Sequence, residues 1–211
     1  MMYTGGMYNL PKGYLSYSAI DLWLKSPKQF RRRYYENAPM LNTPELTFGK
    51  KIATLLENKD ESMSHIKQYK KPEQEINMTV EGVKIFGYID SFDPETNSLI
   101  EYKTGRNPWD AVKVRKHIQL DLYSLAIQTM FGDVNDDCEL VWMETIKLPS
   151  KTCGLGTKED AYGIALTGKV TSFPRTIKQW ERDKMKDTVM SVATEVSGDY
   201  TAWQELSPTA R

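Results

Sequence analysis

The stretch Phe86-Gly-Tyr-Ile-Asp90 … Ile100-Glu-Tyr-Lys-Thr-Gly105 decides how this chain is read. Phe86 to Phe92 and Leu99 to Thr104 are rich in β-branched and aromatic residues, and Asp-Pro-Glu-Thr-Asn at 93–97 supplies turn chemistry between them. The segment therefore predicts a β-hairpin. A turn centred between Glu95 and Thr96 sets Asp90 opposite Glu101, with Cβ atoms roughly 4.5–5.5 Å apart on one face. Glu101 and Lys103 share a face because strand side chains alternate with period two. Two carboxylates that close repel unless a cation lies between them, and hard divalent ions such as Mg²⁺ favour carboxylate oxygens. Lys103 then stands where an attacking water would sit. An exposed ion-pair ladder would use the same residue types, but the apolar runs leading into both acids point to partial burial.

Working outward, residues 111–130 predict a helix, with Val114, Ile118, Leu122 and Leu125 as its apolar stripe. Gln119 and Tyr123 lie four apart on the flank of that stripe and project together. Upstream, Leu15-Ser-Tyr-Ser-Ala-Ile20 opens a helix with Ser16 or Ser18 as N-cap. Ser26-Pro-Lys-Gln29 restarts it, with Ser26 as cap, Pro27 at the first helical position and Gln29 completing a capping box. Phe30 and Tyr34 fall on one face, and Lys28, Arg31 and Arg32 on another. The basic residues and Tyr35 suit a phosphate track with base stacking. A second basic segment runs from Arg106 to His117. Of the two histidines, His65 lies in a polar, solvated stretch, and His117 borders the Gln119 helix within reach of a phosphate.

Together these stretches resemble the RecB-like branch of the PD-(D/E)xK nuclease superfamily. Gly87-Tyr-Ile-Asp90 looks like its G-x-x-D, Glu101-Tyr-Lys103-Thr-Gly its (D/E)-x-K-T-G, and Gln119-Leu-Asp-Leu-Tyr123 its Q-x-x-x-Y. Leu15-Ser-Tyr-Ser … Ser26-Pro-Lys-Gln-Phe30 is similar to its opening helices. Members with an iron–sulfur cluster carry Cys where this chain has Ser26. Cys138 and Cys153 are too few for a four-thiolate cluster, so none is expected. Phe48-Gly-Lys-Lys-Ile-Ala53-Thr-Leu-Leu-Glu57 looks like F-G-x-x-x-H-x-x-x-E, with Ala53 in place of a metal-ligating histidine and Glu57, one turn on, as a substitute donor.

The resemblance implies a divalent-metal-dependent deoxyribonuclease, most simply an exonuclease acting on DNA ends or single strands. In that reading Mg²⁺ or Mn²⁺ is held by Asp90, Glu101, the Tyr102 carbonyl and Glu57. Lys103 orients water, Gln119 and Tyr123 position the strand, and Lys28, Arg31 and Arg32 bind nucleic acid. Two alternatives use the same residues: a sequence-nonspecific endonuclease, or a protein that binds DNA ends or a partner after its metal site decayed, as Ala53 allows. Protein partners are left open.

Composition bounds the rest. At 211 residues and 40% hydrophobic, the chain can bury one sizeable core. Residues 1–211 are expected to form one domain, with its core at about 14–148 and a C-terminal strand and helices at 149–211. The expected fold is α/β, a central mixed β-sheet flanked by helices with a restriction-endonuclease-like core. No signal peptide or membrane span is evident, and the two cysteines suit a reducing compartment, so a cytoplasmic setting is expected. Net charge is zero, which argues against general nucleic-acid affinity and leaves local basic patches to bind. Cys138 to Leu148 predicts a strand buried on both faces, and Tyr162 to Thr171 another. Residues 149–160 read as a polar loop whose Gly154-Leu-Gly156 lacks the remainder of a phosphate-loop motif. Thr176-Ile-Lys-Gln179 reads as a capping box, opening a helix whose inner face is Ile177, Trp180, Thr188, Val192 and Val196, with Trp203 docking the tail.

Overall fold

The computed structural model describes residues 7–132, 135–149 and 163–206. Two N-terminal helices, α1 (Tyr17–Lys25) and α2 (Pro27–Tyr34), meet at Ser26. Ser16 is the N-cap of α1, its hydroxyl accepting from the Ala19 amide, and Ser26 caps α2 by accepting from Gln29. The reciprocal half of the expected capping box is absent, because the Ser26 amide instead closes α1 on the Leu22 carbonyl. Helix α3 (Pro44–Glu57) and a 3₁₀ turn (Glu61–Met63) lead into strands β1 (Lys71–Val80), β2 (Val83–Asp93) and β3 (Ser98–Gly105). The expected single helix at 111–130 is two, α4 (Ala111–Arg115) and α5 (Ile118–Phe131), with His117 as the N-cap of the second. Strands β4 (Asp137–Lys147) and β5 (Ile164–Thr176) complete a five-stranded sheet, and α6 (Gln179–Leu206) follows. Gly154-Leu-Gly156 and Cys153 lie outside the described residues.

The sheet order is β1-β2-β3-β4-β5, with only β3 and β4 parallel. That parallel pair needs a crossover, which α4 and α5 provide. One face of the sheet packs on α1, α2, α5 and α6 through residues such as Ile20, Phe30, Leu120 and Val189. The other packs on α3 through Phe48, Ile52 and Leu56, against Ile100, Val141 and Met143. Burial on both faces explains the unbroken apolar run of β4. Gly49 lets α3 lie close to β3, since a Cβ there would stand 3.3 Å from Thr104 Oγ1.

Two readings of the C-terminal third are corrected. Thr176 ends β5 and donates its hydroxyl to Asp137 rather than capping α6. The inner face of α6 is Met185, Val189, Val192, Ala193 and Val196, whereas Trp180 is 63% exposed. Ile177 is buried ahead of the helix, and Trp203 packs beside Tyr35 and Tyr200, as expected for the tail.

Candidate active site

The hairpin register matches the expectation: Ser91 pairs with Ile100, Phe92 with Leu99 and Asp93 with Ser98. The Asp93 carboxylate accepts from the Glu95 amide and the Thr96 hydroxyl, which fixes the turn. The ladder stops one position before Asp90 and Glu101. There the Asp90 carboxylate itself accepts the Tyr102 N–H at 2.8 Å, so a side chain takes the place of the next ladder bond. The acids are neighbours, but not as a regular cross-strand pair.

The cause is local. Glu73 of β1 stands at the register position opposite Asp90, between the pairs Pro72–Ser91 and Gln74–Ile89, with φ of +49°. A left-handed residue inside a strand breaks the alternation of faces. Ile89 and Phe92, three apart, accordingly pack in the same apolar cluster. The residues between them turn the other way: Ser91 accepts from the Tyr69 amide, and Asp90 lines a cleft beneath α3. Strain of this kind costs about 1–3 kcal/mol and gathers at functional sites.

That cleft, of about 550 Å³, is walled on one side by Ala53, Leu56 and Glu57 of α3 and on the other by Glu73, Asp90, Glu101 and Lys103. Position 53 therefore faces the acids, as the helix motif requires. Glu57 is exposed at the cleft, while Glu101 is only 2% exposed. Lys103 Nζ donates to Glu101 Oε1 at 2.5 Å and to Gln119 Oε1 at 2.8 Å. Gln119 in turn donates to the Tyr123 hydroxyl at 2.9 Å. The structure thus brings Asp90, Glu101, Lys103, Gln119 and Tyr123 together.

Electrostatics mark the same place. Burial, with the neighbouring Glu101 charge, holds the Asp90 carboxyl well above the usual carboxylate range, against the opposing pull of the Tyr102 amide and Lys103. Burial and the charges of Glu57 and Asp90 also raise Glu73. Burial and the same two carboxylates, Glu101 and Asp90, keep Tyr123 a neutral phenol. Glu101 Oε2 is buried and meets no hydrogen-bond donor among the described residues. A buried carboxylate oxygen left unpaired is costly unless something cationic fills the need. Among the described residues no three His, Cys, Asp or Glu side chains are gathered for a metal. The donors present, the carboxylates of Asp90 and Glu101, suit a hard ion that keeps several of its waters.

His117 was expected near a phosphate; the structure gives it inward partners. Its Nε2 lies 3.1 Å from Gln119 Oε1, and its Nδ1 lies 3.4 Å from the Tyr17 hydroxyl. Burial, with Lys103 nearby, lowers its pKa to about 4. The ring stays neutral when folded and takes up a proton near pH 6.5 when unfolded, so its contribution to stability is complete above that value and lost as pH falls toward 4. Burial raises Asp121 to about 6, and that group acts in the opposite sense. A difference measurement isolates the histidine. The stability gap between wild type and His117→Phe should shrink by about 3 kcal/mol from pH 7 to pH 4, read by urea unfolding. A gap that does not change with pH would show that His117 titrates normally.

The basic track is redrawn. Arg31 is held by Asp199 through two bonds of 2.8 and 2.6 Å, and Tyr35 is only 4% exposed, inside an aromatic cluster with Phe30 and Tyr200. Arg31 stays exposed in this pairing, whereas the Tyr35 ring is withheld from base stacking. Lys28 and Arg32 are exposed, with no side-chain partner among the described residues, and His65 is exposed as expected.

A mixed sheet whose central strands end in an Asp–Glu–Lys cluster, open to a cleft, defines a class of phosphodiester-cleaving enzymes. The model of the PD-(D/E)XK nuclease superfamily matches residues 48–206, and the chain belongs to that superfamily. Its members are nucleases that use divalent metal ions. No curated protein matches the sequence. Among solved structures, the fold is similar to a phage-related exonuclease from Haemophilus somnus 129PT, at 12% identity and TM-score 0.54 over 90% of this chain and 83% of that one. It is also similar to a protein from Eubacterium rectale assigned as an exonuclease, at 11% identity and TM-score 0.57 over 95% and 88%. No helix among the described residues is long and apolar enough to cross a membrane.

Proposed function

We propose that this protein is a deoxyribonuclease acting on DNA ends or single strands, with Mg²⁺ or Mn²⁺ held by Asp90, Glu101 and the Tyr102 carbonyl, and Glu57 as an outer donor. The observation that carries the reading is the orphaned, buried Glu101 Oε2 beside Asp90 in an open cleft. When bound, such an ion polarises the scissile phosphate and lowers the pKa of its water. Asp90 is held by the Tyr102 amide, so its second oxygen is the one available for coordination. Lys103, between Glu101 and Gln119, would orient the attacking water and offset charge growing on the phosphate oxygens. Gln119 keeps Lys103 in place, and Tyr123 braces Gln119. Lys28 and Arg32 offer phosphate contacts on the surface. One domain spans the chain in this reading.

Digestion of linear and circular, single- and double-stranded DNA with Mg²⁺ or Mn²⁺ tests the proposal. Loss of linear DNA with closed circles spared is expected. Cut circles would favour the endonuclease alternative, and no cleavage with any cation would favour the binding-protein alternative.

Ala53 offers a separate check. An all-oxygen site has no bias toward Mn²⁺, whereas an added imidazole favours Mn²⁺ and later metals. Ala53→His should therefore tighten Mn²⁺ binding by about tenfold and leave Mg²⁺ nearly unchanged in calorimetric titration. Equal Mn²⁺ affinity in both proteins would separate the α3 wall from the metal.

A further inference from the structure

Resting on the nuclease reading of this site, we infer that His117 and Tyr17 are positioning residues that fix the Gln119 amide and, through it, the catalytic lysine. The Lys103 ammonium can only donate. The Gln119 atom 2.8 Å from it is therefore the amide oxygen. The same oxygen lies 3.1 Å from His117 Nε2, so that nitrogen carries the ring hydrogen. A neutral ring protonated there has a bare Nδ1, and the Tyr17 hydroxyl 3.4 Å away donates to it. Hydrogen-bond polarity is thus settled along the whole path from β3 to α1.

Lys103 sets the amide orientation, and His117 secures it from a second side. The other end of Gln119 meets the Tyr123 hydroxyl, which can donate or accept and would tolerate a flipped amide. A flip would turn N–H groups toward both Lys103 and the His117 N–H. Lys103 has two acceptors, Glu101 and Gln119, and with a cation on Glu101 it would keep Gln119 alone. The His117 donor then holds the amide oxygen in position. The imidazole is itself fixed, edge-on to the rings of Tyr17 at 5.5 Å and Trp109 at 5.0 Å, and its backbone carbonyl accepts from Arg175 at 3.2 Å. The N-terminal helix α1 thereby acts on Lys103 through His117, which lies 100 residues from Tyr17 in sequence.

Steady-state cleavage of single-stranded DNA with Mn²⁺ provides the kinetic test. His117→Phe should lower kcat about tenfold, the worth of one hydrogen bond, with KM and calorimetric Mn²⁺ affinity unchanged. His117→Gln places an amide N–H near the Nε2 position and should restore most of the rate, and Tyr17→Phe should cost about two- to threefold. An activity-independent reading comes from ¹⁵N NMR of the histidine side chains: His117 should appear as the Nε2–H tautomer, identified by loss of its signal in His117→Gln. The Nδ1–H tautomer, wild-type kcat in His117→Phe, or a folded His117→Gln that restores nothing would overturn the inference. A wild-type protein that cuts no DNA would sink the nuclease reading, and the tautomer would still decide the hydrogen-bond path.

Discussion

Lys103→Ala is expected to abolish cleavage, by on the order of 10³-fold or more, while binding divalent cations more tightly than the wild type. The two effects have opposite signs for one reason. Lys103 Nζ sits 2.5 Å from Glu101 Oε1, and its charge competes with any cation for the same carboxylate. Its removal leaves Asp90 and Glu101 as an uncompensated buried pair, which a metal relieves. Glu101→Gln should lose cleavage equally but bind metal at least about tenfold more weakly, because a charged donor is gone. Asp90→Asn should behave like Glu101→Gln while still accepting the Tyr102 N–H through its amide oxygen, so the fold survives. Calorimetric titration with Mn²⁺ and a fixed-time digest separate all three. Wild-type cleavage by any of them would mean that the chemistry lies elsewhere.

Arg175→Met should give the largest loss of stability, about 3–5 kcal/mol, measured by urea unfolding. Arg175 is buried at the junction of β5, α4, α5 and α6. It pairs with Asp121 and with Glu181 at 3.1 Å, and donates to the carbonyls of Val114 and His117 at 3.2 Å each. Its loss strands the buried Asp121 carboxylate without a counter-charge and frees the chain just before Gln119. Adding Asp121→Asn to Arg175→Met should recover part of the deficit, since the orphaned charge is then removed as well. No recovery in the double variant would place the deficit in the lost carbonyl bonds alone.

The acids and the lysine were legible because their chemistry is local: a turn, two alternating strands and a short spacing put Asp90, Glu101 and Lys103 side by side. Gln119 and Tyr123 were legible for the same reason, being one helical turn apart. Glu73 was not, because Lys-Pro-Glu-Gln reads as a polar connection, and only its backbone conformation shows that it bends β1 and β2 and turns Asp90 under α3. Tyr17 and Arg175 were also hidden, since His117 is 100 residues from Tyr17, and Asp121 and Val114 are 54 and 61 from Arg175, which leaves no periodic trace. The inner face of α6 was set one step off because Trp180, the most apolar residue at its start, lies outward beside Arg115 and Phe173. The Arg31–Asp199 pair was not legible, because Asp199 comes from the far end of the chain.

The early end of the β2–β3 ladder has a mechanical consequence. Nine residue pairs join β1 to β2 and seven join β3 to β4, but three join β2 to β3. The sheet is built like a half-open book, with Asp93–Ser98 at its spine and the two carboxylates on facing page edges. Beyond Ser91 and Ile100 the pages are held by side chains in place of ladder bonds, with the Asp90–Tyr102 contact as the latch.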